Sequence, residues 1–274
     1  MSNPRSSAFV RVPSLLFIVR VVITAVFLLS LLWMVSAALH PPGNPLPQTL
    51  RLWSDGLTFD NFRRIWQLLP LGRFTLNSLQ TVGLAVPLTL LTSSWAGFAI
   101  SQLPHPSQRR WVLLSLIVLM VPGIALWSTR FFLYKQLGWL DTIWALIAPA
   151  WMGSSPFYVL MFYRAFRRIP TALYEAARLD GASVWQSWRL IAMPIVRPTA
   201  VGVALLSFIL YWSDFISPLL YLRREANYTL PIALQLAQQL GRSDWPLLLA
   251  TAVFASAIPV TLFLALQPYF ARLD

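Results

Sequence analysis

The chain has 274 residues, of which 57% are hydrophobic and only 11% charged, and it carries a formal net charge of +12. That balance excludes an ordinary soluble domain, in which roughly 25% of residues are charged, and places the chain among membrane proteins. It has no cysteine, two histidines (His40 and His105) and one lysine (Lys135), too little material for a disulfide framework, a histidine metal site or a Ser-His-Asp triad.

A helix needs about 20 apolar residues to cross a hydrocarbon layer. The first such run, 21–39, follows Arg5 and Arg11 as a signal sequence would. It is too long for a signal h-region, and Ser36-Ala37-Ala38 is a weak cleavage site, so a retained helix is expected. Further spans are expected at 74–103, 111–129 and 142–163, then at 198–222, interrupted only by Asp214, and at 245–271. The organisation expected is a tail over 1–11, a membrane domain over 12–271 with a polar loop at 164–197, and a short end at 272–274.

Six spans put both termini on one side, and basic residues favour the cytoplasm. Twelve of them, among them Arg5, Arg11, Arg20, Arg109, Arg110, Arg197 and Arg272, fall on the side of the termini. Nine, among them Arg51, Arg63, Arg64, Arg73, Arg130, Lys135, Arg223, Arg224 and Arg242, fall opposite. The bias is modest, and the cluster Arg164, Arg167 and Arg168 at the end of the fourth span decides it. Basic residues scattered between spans speak for membrane topology and against nucleic acid. No glycine-rich Walker loop precedes Lys135. If this chain works with ATP, another polypeptide binds it.

The polar stretch 174–198 stands out in so apolar a chain. Pro170-Thr171 offers a break and an N-cap, Ala172 to Asp180 are good helix formers with Glu175 near the positive end, and Gly181 ends the helix. Ser183-Val-Trp-Gln186 has capping-box spacing and opens a second helix, which Pro194 is expected to stop before Pro198 starts the next span. Ala176 and Ala177 are small enough for close approach to a partner, and Trp185 and Trp188 share a face. A helical hairpin on the cytoplasmic surface follows. It is equally readable as a protein-docking element or as an amphipathic connector anchored on lipid by Arg178, Arg189 and the tryptophans.

Glu175-Ala176-Ala177, Asp180-Gly181-Ala182, Ile191 and Pro194 resemble the EAA signature of bacterial ABC importer permeases, E-A-A-x-x-x-G followed by I-x-L-P, with Met193 where Leu is frequent. Residues 57–63, Asn77-Ser78, Pro122, 137–142, Trp144-Ala145, 211–218, Asp244-Trp245 and 267–270 are similar to other segments of its carbohydrate-uptake subfamily, with Ser213 where Asn is usual. The chain stops at Asp274, short of the family's usual tail.

That resemblance implies an all-α membrane protein with six transmembrane helices, of the type I importer kind, in a bacterial cytoplasmic membrane with both termini cytoplasmic. Glu175, Ala176, Ala177, Asp180, Gly181, Ile191 and Pro194 would form the coupling element. The implied partners are a second permease, expected to be a different chain, two cytoplasmic ATPase subunits that hold ATP and Mg, and an extracytoplasmic solute-binding protein. No cofactor would sit on this chain, which would do no bond chemistry.

Asp214 is the other residue that demands an account, because a carboxylate within a span is costly unless paired or wet. One reading makes it part of a substrate path with Trp127, Tyr211, Trp212, Ser213 and Phe215, whose rings could stack on a sugar. The other makes it a structural carboxylate, paired with an arginine or capping a broken helix near Pro218. An ion-coupled secondary transporter remains a rival for the whole chain, although no internal repeat supports it.

Overall fold

A computed structural model describes residues 15–43, 56–241 and 244–270. Arg5, Arg11, Arg51, Arg242 and Arg272, with the expected 1–11 tail and 272–274 end, lie outside them. The described residues form helices and turns with no strand among them.

In chain order the helices are α1 (Leu15–Ala38), α2 (Asp60–Leu68), α3 (Leu71–Gln102), α4 (His105–Leu119), α5 (Trp127–Gln136), α6 (Ile143–Ile147) and α7 (Pro156–Phe166). They continue as α8 (Thr171–Leu179), α9 (Val184–Gln186), α10 (Met193–Ile195), α11 (Arg197–Trp212), α12 (Ile216–Tyr221), α13 (Leu230–Leu240) and α14 (Trp245–Phe270). They divide into two units, Met1–Leu68 with Ala237–Phe254, and Leu69–Leu236 with Ala255–Asp274.

In the first unit, α1 is apolar on every side and exposed over most of its length, as a helix facing lipid must be. Its last carbonyls lack intrahelical partners, and Asn61 supplies one: Nδ2 donates to Ala38 O at 2.9 Å and to His40 O at 2.7 Å. Arg64 reaches Asp244 at 2.8 Å, while the other oxygen of Asp244 accepts the Leu247 N–H at 3.2 Å and caps the start of α14.

The second unit is built around α3, 32 residues long, against which α7 and α11 pack. A methyl group at Gly97 would lie 2.7 Å from Phe162 Cβ and 2.8 Å from Tyr163 N, so α3 and α7 meet there backbone to backbone. Small residues permit such contact between spans, where close packing rather than water exclusion holds helices together. The buried hydroxyls along α3 are satisfied in place: Ser93 Oγ donates to Thr89 O at 2.5 Å and Thr81 Oγ1 to Asn77 O at 2.9 Å.

Among the described residues, four helical stretches are long and apolar enough to cross a membrane, and up to six if each sharply bent pair counts as one span. Two expected spans are not the straight helices the hydropathy predicts. The third breaks at residues 120–122, and the helices flanking the break differ in direction by 86°. Pro122 lacks the N–H that would continue the ladder and biases Val121 away from helical backbone. The fifth ends at Trp212 and resumes as α12, with Asp214 in the gap.

Candidate functional site

The segment between α7 and α11 folds as a helical hairpin whose two ends meet the spans. Thr171 does not cap α8: Pro170 occupies the cap position with extended backbone, and Thr171 is the first helical residue. Glu175 consequently lies beyond the first turn, where the helix dipole has faded. At the tip, Gly181 takes φ 78°, its N–H donates to Arg178 O at 3.1 Å, and the Ala182 N–H donates to Ala177 O at 2.9 Å. These bonds form a Schellman motif, which needs the left-handed residue that glycine supplies without strain.

The return strand of the hairpin opens as expected. Ser183 Oγ accepts the Gln186 N–H at 3.2 Å and Gln186 Oε1 accepts the Ser183 N–H at 2.7 Å, a complete capping box. Pro194, however, does not end the helix. Residues 187–192 widen into a π turn, Pro194 enters the first turn of α10, and the chain turns only at Val196, with an 84° bend before α11. A proline is tolerated in a first turn, where its missing N–H has no partner to lose.

Tyr174 and Ala177 point inward from α8, as do Trp188 and Ala192 from the return helix. Tyr174, Trp188 and Ala192 join Phe98, Phe162 and Phe166 in one core. Ring centroids lie 5.9 Å apart for Phe98 and Tyr174, 5.4 Å for Phe98 and Phe166, and 5.2 Å for Trp95 and Trp188. Burial pushes the Tyr174 hydroxyl up to about 12, so it stays neutral at any physiological pH.

This packing corrects two expectations. Ala177 faces its own core and only Ala176 faces outward, because residues three apart from Tyr174 share its face. Trp188 is buried rather than lying on lipid, and the Trp185 ring lies tilted beside it with centroids 4.6 Å apart. The outward surface presents Glu175, Ala176, Asp180, Gly181 and Pro194 together with apolar side chains, Leu179 89% exposed and Val184 66% exposed. Ile191 is half-buried. A cleft of about 310 Å³ beside α8 adds His105, Arg167 and Arg178 to the surroundings of Glu175. The arrangement is a packed knob with a mixed polar and apolar surface.

The six pathway candidates do not form one site. The Tyr211 hydroxyl is 2.7 Å from Ser154 Oγ, which is 2.5 Å from Thr89 Oγ1, so a buried polar chain ties α11 to α3. Trp212 stacks on Phe208 at 5.6 Å and donates its Nε1–H to Ala255 O at 3.1 Å, leaving neither ring face nor N–H for a sugar. Asp214 Oδ1 accepts the Ser217 N–H at 3.0 Å, in the first turn of α12, whose cap position is held by Phe215. Ser213 is exposed, while Phe215 and Trp127 are half-buried.

Two side chains that hydropathy passes over organise the opposite end of this unit. Asn77 Nδ2 donates to Ala226 O at 2.9 Å and to Tyr228 O at 2.8 Å. Asp141, at φ 62°, accepts from Arg223, Arg224 and Asn227. The only sequence signal for either was a place in a motif.

Apolar spans, two sharp bends and a polar hairpin rooted in the span core define a polytopic helical membrane protein. The chain belongs to the family of binding-protein-dependent transport system inner membrane components, whose profile matches residues 89–273 and so includes the whole hairpin. It is 32% identical over 217 residues to the arabinooligosaccharides transport system permease protein of Halalkalibacterium halodurans, covering 78% of this chain and 76% of that one. It is 29% identical over 212 residues to the trehalose transport system permease protein of Mycobacterium tuberculosis, covering 76% and 75%. The trehalose/maltose transport system permease protein of Thermococcus litoralis is 29% identical over 264 residues, covering 93% and 92%. The fold matches a crystal structure of a bacterial ABC transporter involved in import of the acidic polysaccharide alginate, with a TM-score of 0.71 at 20% identity over 98% of this chain and 100% of that one. Ion-coupled transport finds no support in these likenesses.

Proposed function

We propose that the chain is a permease subunit of an ATP-binding-cassette importer for a carbohydrate, and that the hairpin is where its ATPase engages. The relatives named for trehalose, arabinooligosaccharide and maltose transport support the substrate class. The observation that carries the coupling role is the hairpin itself: a tip locked by a Schellman motif and a capping box, rooted through Tyr174 and Trp188 among the rings of α3 and α7. A push on such a knob moves the spans as a body instead of bending the loop.

In this reading Glu175, Ala176, Asp180, Gly181 and Pro194 meet a cytoplasmic ATPase, while Ala177 and Ile191 hold the hairpin to its own core. Two ATPase subunits hold ATP and Mg, a second permease of different sequence completes the pathway, and an extracytoplasmic solute-binding protein delivers the solute. Both termini lie in the cytoplasm. The transport step is a rigid-body exchange between inward-facing and outward-facing states.

Gly181→Pro tests the assignment. Proline fixes φ near −65°, which excludes the observed 78° and removes the N–H that bonds Arg178 O. Uptake into cells expressing the complete transporter is expected to be lost while the permease pair remains in the membrane on an immunoblot. Normal uptake would exclude this loop as the coupling element.

A further inference from the structure

The cleft beside α8 is walled on one side by the turn between α3 and α4 and on the other by residues running from the end of α7 into the hairpin. The first wall is fixed in place. Gln108 Nε2 donates to Ser101 O at 3.1 Å and to Leu103 O at 2.7 Å, while its Oε1 accepts the Tyr163 hydroxyl at 3.0 Å. Both amide hydrogens and the amide oxygen of that glutamine are committed to holding the turn, so the start of α4 cannot collapse into the cleft.

Two helix starts line the space, Pro104 and His105 of α4 and Thr171 of α8. Their cap positions are Pro104 and Pro170, and neither helix has a side chain that accepts from its first turn. Orphan N–H groups and the positive ends of both dipoles are therefore left to water or a ligand. Phosphate groups bind at such ends. Arg167 and Arg178 add cations to the same walls, both exposed, and neither forms an ion pair among the described residues, not even with Glu175, the one carboxylate lining the cleft.

Tyr174 points independently to an occupant. It is 6% exposed, forms part of the cleft wall, and its buried hydroxyl has no hydrogen-bond partner. A buried donor left unpaired is costly. This phenol stays protonated at physiological pH, so it can donate to an oxyanion, and a charged acceptor makes the stronger bond.

We propose that the cleft binds a phosphate-type oxyanion, held by Arg167, Arg178 and the Tyr174 hydroxyl between the starts of α4 and α8. Inorganic phosphate, a small phosphate ester and the headgroup of an anionic lipid all present this chemistry. Bound there, the anion ties the hairpin to the turn between α3 and α4 and makes the hairpin firmer. The site stands on its own geometry and does not depend on the importer reading.

The test is thermal unfolding of this chain within the complete transporter, held in phosphatidylcholine nanodiscs with the ATPase sites filled by a non-hydrolysable ATP analogue. Soluble chain remaining after heating is read on an immunoblot. Inorganic phosphate, compared with chloride at equal ionic strength, is expected to raise the unfolding temperature in a saturable way. Arg167→Gln and Arg178→Gln should each raise the half-saturating phosphate concentration about tenfold, because each removes a charged donor. Tyr174→Phe keeps the ring and is the sharper variant. In chloride it should unfold no earlier than the native chain, having no partner to lose, and in phosphate it should show a weakening of about tenfold.

Nanodiscs that contain phosphatidylglycerol separate the sources. Stabilisation by that lipid but not by free phosphate, lost in the same three variants, would support the site and assign a headgroup to it; stabilisation by free phosphate in phosphatidylcholine alone assigns a soluble anion. Stabilisation that is equal in native and variant chains, or none from either source, would overturn the proposal. So would a Tyr174→Phe chain that unfolds earlier than native in chloride, since its hydroxyl would then already have a partner within the protein. A native chain that purifies with no ATPase would overturn the importer reading and leave the same measurement to be made on the chain as purified.

Discussion

Trp188 of the hairpin and Trp95 of α3 meet edge to face, with ring centroids 5.2 Å apart and planes at 88°. This contact joins a polar surface loop to α3, and in the proposed coupling role it passes motion of the loop to that helix. Deleting a buried tryptophan from a core costs about 3–5 kcal/mol. Trp188→Ala is expected to loosen the joint, so that more ATP is hydrolysed per solute carried, whereas Trp188→Phe should keep most of the coupling. The ratio of ATP hydrolysed to solute moved in proteoliposomes is the measurement, and an unchanged ratio for Trp188→Ala would show that the ring contact carries no force.

Ala176 and Ala177 are neighbours with opposite surroundings, one exposed and the other 6% exposed within the core. Ala177→Glu buries a charge without a partner, at a cost of several kcal/mol, and should lower the amount of permease in the membrane. Ala176→Glu should leave that amount near normal and reduce ATPase co-purification and uptake. Equal loss of membrane-inserted permease in both variants would contradict the inward and outward assignment.

Asp214 holds the Ser217 N–H at the start of a short helix, and its expected role is structural. Asp214→Asn keeps an acceptor for the Ser217 N–H, and Asp214→Ala removes it at about 1 kcal/mol of stability. Both are expected to leave the solute concentration for half-maximal uptake unchanged, and the alanine variant alone should lower thermal stability in detergent. A large rise in that concentration for Asp214→Asn would restore the residue to the solute path.

Asp141 sets a pH range for the clamp on residues 222–229. Burial alone would raise its carboxyl, but the N–H groups of Arg224 and Arg223 and the side chains of Arg224 and Asn227 outweigh it and hold the group below the usual carboxylate range. A carboxylate depressed in the folded state adds stability that is present above its unfolded value of about 3.9 and is lost only as pH falls below that value. Thermal stability of the permease in detergent is therefore expected to be flat from about pH 7 to pH 5 so far as this group sets it. Asp141→Asn should show a lowered stability at both ends of that range. Native permease that loses stability steeply on mild acidification, with Asp141→Asn flat, would contradict this.

How much could be read in advance depended on the distance over which each feature is decided. The apolar runs, the Gly181 turn and the Ser183–Gln186 capping box are determined by residues within about one helical turn or by composition over a membrane thickness. They were legible for that reason, and the hairpin's place between an arginine-rich span end and Pro198 was legible with them. Pro194 and the third span show the limit. A proline stops a helix or enters one according to the geometry around it, so the bends at Val196 and Pro122 could be suspected but not placed.

Sequence by itself determined that this is a multi-span helical protein with one polar hairpin, because hydropathy and capping are local or additive properties. Tertiary structure decided which face of each element matters. It turned Ala177 and Trp188 inward, used the Trp212 ring and the Asp214 carboxylate for structure, and brought Asp141 and Asn77 onto a segment more than 80 residues away from either. Those outcomes depend on contacts between residues far apart in the chain, and a hydrogen bond across such a gap leaves no periodic trace in the residues that make it.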